Sequence, residues 1–123
     1  MANFRDPVLL SGTCAETDLT TSRYHAVKQG TSDFNVVIAA AGEGIGILMN
    51  RPNANQQAEI AVVGGGAKVK LGANVTRGAY LVANASGQFI TAATAGHTVL
   101  ARAEVSGVSG DIIPVTVLDF KNS

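Results

Sequence analysis

Fourteen glycines divide this chain into short stretches, with a turn signal about every ten residues, the rhythm of an all-β domain. The apolar residues between them point the same way. Val and Ile together number 21, whereas Leu and Met number 10, and ten threonines raise the β-branched total to 31. Such side chains are stiff at χ1 and sit more easily on a pleated sheet than in a helix. The 19 alanines favour helix in isolation, but they are interleaved with glycines that interrupt one. The expected class is therefore all-β.

At 123 residues the chain amounts to one domain, long enough to bury a core without metal or disulfide support. Its 46% apolar content is that of a folded domain. Nine basic and nine acidic residues give a formal net charge of zero, so no electrostatic footprint marks it for nucleic acid or for an anionic membrane. The longest apolar runs, 36–41 and 45–49, are far short of a membrane span. No basic stretch leading into an apolar run opens the chain, so no secretory signal is read from it. The single cysteine, Cys14, cannot form an internal disulfide or a cysteine-built metal site.

Residues 1–20 differ from the rest, because no period of 2 or 3.6 runs through them. They read as an extended N-terminal arm preceding a β-rich domain at 21–123. Strands are expected at 23–28, 34–40, 45–49, 59–63, 68–71, 79–83, 88–91, 98–105 and 111–118. Phe34, Val36 and Ile38 would share one face, as would Ile113, Val115 and Val117. Gly64, Gly65 and Gly66 read as a turn, and residues 84–87 as a hairpin connection. Pro114 has no N–H to donate, which predicts an edge strand or a bulge. Residues 53–61, around Gln56 and Gln57, are the one patch where a turn or two of helix is expected.

No catalytic constellation emerges. The run from Phe34 through Gly42, Gly44 and Gly46 imitates the start of a dinucleotide site, but Ile47 stands where the third glycine belongs and a strand-like stretch follows. Lys68 after the triple glycine is not followed by Ser or Thr, as a phosphate loop requires. Lys68 and Lys70 alternate along a strand, unlike the hairpin-tip lysine of a biotin or lipoyl carrier. His25 and His97 each stand alone, without a second ligand at metal spacing. Cys14 has no base beside it. The sequons at Asn74 and Asn84 read as turn residues. No cofactor, no metal and no enzymatic activity are expected.

From Gly44 to Leu118 the order of features resembles the small capsid cement, or head-decoration, proteins of tailed bacteriophages. The resemblance runs through Gly44-Ile45-Gly46-Ile47-Leu48, Ala58-Glu59-Ile60-Ala61-Val62-Val63-Gly64 and the Lys68-Val69-Lys70-Leu71 strand. It continues through Val75-Thr76-Arg77-Gly78-Ala79-Tyr80-Leu81-Val82, Gly87-Gln88-Phe89-Ile90-Thr91-Ala92, Val99-Leu100-Ala101-Arg102-Ala103 and Ile113-Pro114-Val115-Thr116-Val117. It implies a small β-barrel or β-tulip-like module, made in the host cytoplasm and bound to the outer surface of the mature virion head. There it would be a homotrimer bridging copies of the major capsid protein, with neither nucleic acid nor membrane as partner. The alternatives are a β-barrel ligand-binding or carrier module, and another virion component such as a tail or fibre part. Within the arm, Phe4, Arg5, Asp6, Val8, Leu9 and Leu10 are the candidate contacts to the capsid or to a neighbouring subunit. Its apolar members have no place in the periodic core, and its extended backbone is suited to strand addition.

Overall fold

The computed structural model describes residues 8–10 and 12–122. It is all-β, with no helix among the described residues and eleven strands in two sheets. The first sheet contains β1 (Val8–Leu10), β2 (Cys14–Ala15), β3 (Ala26–Gln29), β4 (Asn35–Ile38), β5 (Gly46–Leu48) and β6 (Ile60–Val62), in the order β1-β6-β5-β3-β4-β2. The second contains β7 (Gly66–Lys70), β8 (Tyr80–Ala83), β9 (Phe89–Thr91), β10 (Thr98–Ala103) and β11 (Ile112–Lys121), in the order β7-β11-β10-β8-β9. Every pairing is antiparallel except that of β2 with β4. An isolated parallel bridge between Leu71 and Phe89 ties the end of β7 to β9, the opposite edge of the second sheet, and the Lys70 amide donates to Tyr24 across the two sheets.

The alternating pattern of the sequence decides which faces are buried. In β11, Ile113, Val115 and Val117 are buried together, as expected from period 2. They join Val69 of β7, Leu81 of β8, Ala101 of β10 and, from the first sheet, Ala26, Ile47 and Ala61. That cluster lies between the sheets. A second cluster forms on the opposite face of the first sheet, where Val27, Val36, Leu48 and Ile60 are covered by Ala15, Leu19 and Ala58. The first sheet is thus buried on both faces, once by a sheet and once by its own strand β2 with the segments that carry Leu19 and Ala58. Within the stretch read as an arm, Val8–Leu10 pairs with β6, Cys14–Ala15 pairs with β4, and Ala15 and Leu19 are buried.

Several local expectations need correction. Residues 53–61 form no helix. Asn55 takes a positive φ of 67°, the Gln56 side chain accepts a hydrogen bond from the Asn53 amide, and Ala15 exchanges backbone bonds with Asn55 and Gln56. Polar side chains here offer the backbone partners other than a helical ladder.

Pro114 lies in an interior strand, because β11 sits between β7 and β10. The register explains how this is tolerated. Leu71 and Val117 bond with Asp111 and Gly65 on the β7 side, whereas the Pro114 carbonyl accepts from Glu104 on the β10 side. The absent N–H therefore faces Glu104, one residue beyond the end of β10. The bulge in β11 falls later, where Val99 faces Phe120 but Ala101 faces Val117. Gly66 belongs to β7 rather than to a glycine turn, and Val105 is exposed beyond the end of β10.

The 84–87 hairpin forms as expected, with the Asn84 side chain accepting from the amides of Ser86 and Gln88 at 2.9 and 3.0 Å.

Candidate functional site

The residues proposed for contact divide by position. Phe4, Arg5 and Asp6 lie outside the described residues, and of Val8 only the backbone pairing with Val62 is described. Leu9 and Leu10 remain 45% and 38% exposed although their backbone is in the sheet. Leu10 stands opposite Ile60, on the face away from the second sheet. It forms one wall of a groove of about 510 Å³, whose other apolar walls are Phe34, Val36 and Ile45.

Phe34 is the residue that sequence reasoning misplaced. It does not share a buried strand face with Val36. It precedes β4, has a positive φ of 62°, and leaves 77% of its surface exposed. A bulky residue rarely adopts this backbone conformation, which costs about 1–2 kcal/mol. The neighbourhood holds it there. The Phe34 carbonyl accepts from the Cys14 amide at 2.9 Å, and the Gly30 amide donates to Asn35 at 2.7 Å. One oxygen of Glu16 accepts from the Thr31 amide, the Thr31 hydroxyl and the Ser32 amide at 2.7, 2.9 and 3.0 Å. The carboxylate packs so closely that a Cβ at Gly30 would lie 2.6 Å from it. Bonds from Ser32 and Thr31 hold the Glu16 carboxyl below its ordinary value, because they favour the charged form. The result is an exposed aromatic ring on a clasped turn beside a groove of mixed polar and apolar lining. No pattern marked Phe34 as exposed; the only signal was its place immediately after a run of turn residues.

The other chemical candidates are resolved by packing. The glycines of the 42–46 segment face protein instead of open space: a Cβ on Gly42 would collide with the His97 ring, one on Gly44 with Leu100, and one on Gly46 with the Ala61 carbonyl. Glu43 between them pairs with Lys28 at 3.1 Å. This turn is a packing device, with no cradle left for a pyrophosphate. Lys68 is exposed in the middle of β7 opposite Pro114, a strand position unlike the hairpin tip of a carrier lysine. His25 is buried with Nδ1 against the Arg23 carbonyl at 3.0 Å, whereas His97 packs over Gly42. Among the described residues no three His, Cys, Asp or Glu side chains gather as metal ligands.

Comparison with protein-family models finds no match, and neither does comparison with curated proteins. A solved structure does match: the head fiber gp8.5 N base of bacteriophage phi29, with a TM-score of 0.73 and 13% sequence identity, covering 94% of this chain and 99% of that one. At that identity the correspondence is one of fold, and it extends over nearly the whole of both chains.

Proposed function

We propose that this chain is a structural component of a tailed-bacteriophage virion, seated on the outside of the head and acting by surface complementarity rather than by catalysis. The observation that carries the reading is the near end-to-end fold correspondence with a head-fibre base. The sequence resemblance to head-decoration proteins leads to the same compartment by a separate route. In this reading the major capsid protein is the partner. The protein assembles as a homotrimer that bridges neighbouring capsid subunits, and the contact includes the N-terminal segment together with Leu9, Leu10 and the Phe34 turn. Many weak copies on one shell supply avidity. Selective binding to expanded heads then stabilises that state by linkage.

A second reading is favoured by the matched structure itself: the chain is the head-attached base of a fibre. Co-sedimentation with expanded heads and with precursor shells tests both. The expected result is binding to expanded heads alone, with an increase in the temperature at which heads break. Equal affinity for precursor shells would refute the stabilising mechanism, and failure to pellet with either would refute head attachment. Electron microscopy of virions then separates the readings, since a fibre base carries a projection and a cement protein does not.

A further inference from the structure

Where the two sheets meet, the segment leading into β3, the loop after β5, the end of β7 and the start of β11 line an open cleft of about 340 Å³. Its lining includes Arg23, Arg51 and Lys70, together with Tyr24, His25 and Ile112, and contains no carboxylate. In a chain with equal numbers of acids and bases, that is a local concentration of one sign. Ion pairs form elsewhere, Lys28 with Glu43 and Arg102 with Glu104. Of the acids nearest along the chain, Asp111 beside Ile112 accepts from the Val108 amide at 3.0 Å, and Asp18 accepts from the amide and hydroxyl of Thr20 at 2.9 and 2.7 Å.

Part of this cleft is set in place. The Arg23 Nε donates to the Met49 carbonyl at 3.1 Å, and its guanidinium lies 4.6 Å from the centroid of the Tyr24 ring. Tyr24 holds a positive φ of 69°, gripped from both sides: its amide donates to Leu48 at 2.7 Å and its carbonyl accepts from Lys70 at 3.0 Å. Strain held this firmly is a recurrent property of ligand clamps. Gathering like charges raises the free energy of the empty cleft, so an anion is attracted both by direct contact and by relief of repulsion.

We propose that this cleft binds the carboxylate of an acidic peptide segment on a protein partner. A polyanionic backbone needs a basic stripe, and this chain has a local cleft on a neutral whole. A bare inorganic anion would leave unused the apolar part of the wall, where Ile112 is 51% exposed beside Tyr24. An acidic side chain flanked by an apolar residue fits both halves, because arginine presents a planar fork to carboxylate and the ring and Ile112 accept carbon. The assignment rests on the cleft alone and does not depend on the virion reading.

The test is a titration of the isotopically labelled full chain, followed by amide resonances at constant ionic strength. The probes are a capped peptide alternating Glu with Leu, its Gln-for-Glu counterpart, sodium phosphate and a short DNA duplex. The expected result is saturable shifts at Arg23, Tyr24, Arg51, Lys70 and Ile112 with the glutamate peptide alone. Arg51→Ala and Lys70→Ala should each weaken binding about tenfold, as loss of one charge-assisted bond implies, with unchanged melting temperature. Arg77→Ala, at an exposed position outside the cleft lining, should leave binding unchanged. An equal response to the glutamine peptide, to phosphate or to DNA, or binding that survives both cleft substitutions, would overturn the assignment.

Discussion

Phe34 and Glu16 show how opposing magnitudes decide what a single side chain contributes. Phe34 pays about 1–2 kcal/mol for its left-handed backbone and recovers little by burial, since 77% of it is in water. Glycine removes the steric cost and adds about 0.5–1 kcal/mol of lost chain freedom. Phe34→Gly should therefore change stability by no more than about 1 kcal/mol in chemical denaturation, while weakening attachment to heads in the sedimentation assay. A much larger loss of stability would show that the ring is a core residue in effect. Glu16 acts on the same turn. Its folded carboxyl value is depressed, so its contribution is fully present above the ordinary value of 4.5 and is lost as the pH falls through the lowered one. Amide exchange at Thr31 and Ser32 should quicken over that acid window relative to the strand amides, and Glu16→Ala should show the quickened exchange already at neutral pH.

At the scale of the strand, close approach and register carry the argument. A Cβ on Gly46 would lie 2.5 Å from the Ala61 carbonyl and 2.6 Å from Ile60 Cγ2, both on β6. Backbone cannot yield as a flexible side chain does, so Gly46→Ala should destabilise by about 1–3 kcal/mol. Pro114→Val restores an N–H on the side facing Glu104, and thermal unfolding should show it neutral or stabilising by up to about 1 kcal/mol. A strand such as β11 was legible because alternating β-branched residues announce it, and the buried trio Ile113, Val115 and Val117 follows directly. Its neighbours were not legible. Pro114 suggested an edge or a bulge, and β11 carries a bulge, but which strands flank it is decided by pairings dozens of residues away. The second hydrophobic cluster was hidden for a related reason: Ala15, Leu19 and Ala58 lie in segments without periodicity. The basic cleft escaped notice because Arg23, Arg51 and Lys70 are far apart in the chain and meet only where the sheets do.

Taken whole, the molecule has two clusters that share the first sheet, so neither can melt without exposing the other. Leu48→Ala, in the outer cluster, and Leu100→Ala, in the inner one, should each cost about 2–5 kcal/mol. Both should lower a single cooperative transition followed by circular dichroism and by calorimetry. Two separable transitions would mean that the sheets are independent units. This linkage suits a protein whose proposed work is to stay folded against a shell under load, since partial opening at one face is coupled to the other.

The position of β11 also bears on how the protein comes into being. It follows β7, β8, β9 and β10 in the chain, yet it lies between β7 and β10. While a ribosome is still adding residues before Ile112, the second sheet exists only as fragments, with a vacant lane between β7 and β10. Both borders of that lane present unpaired amides and carbonyls, which are templates for pairing with other nascent chains. Synthesis must outrun that encounter, because the lane beside the edge strand is filled by the last of these five strands to be made.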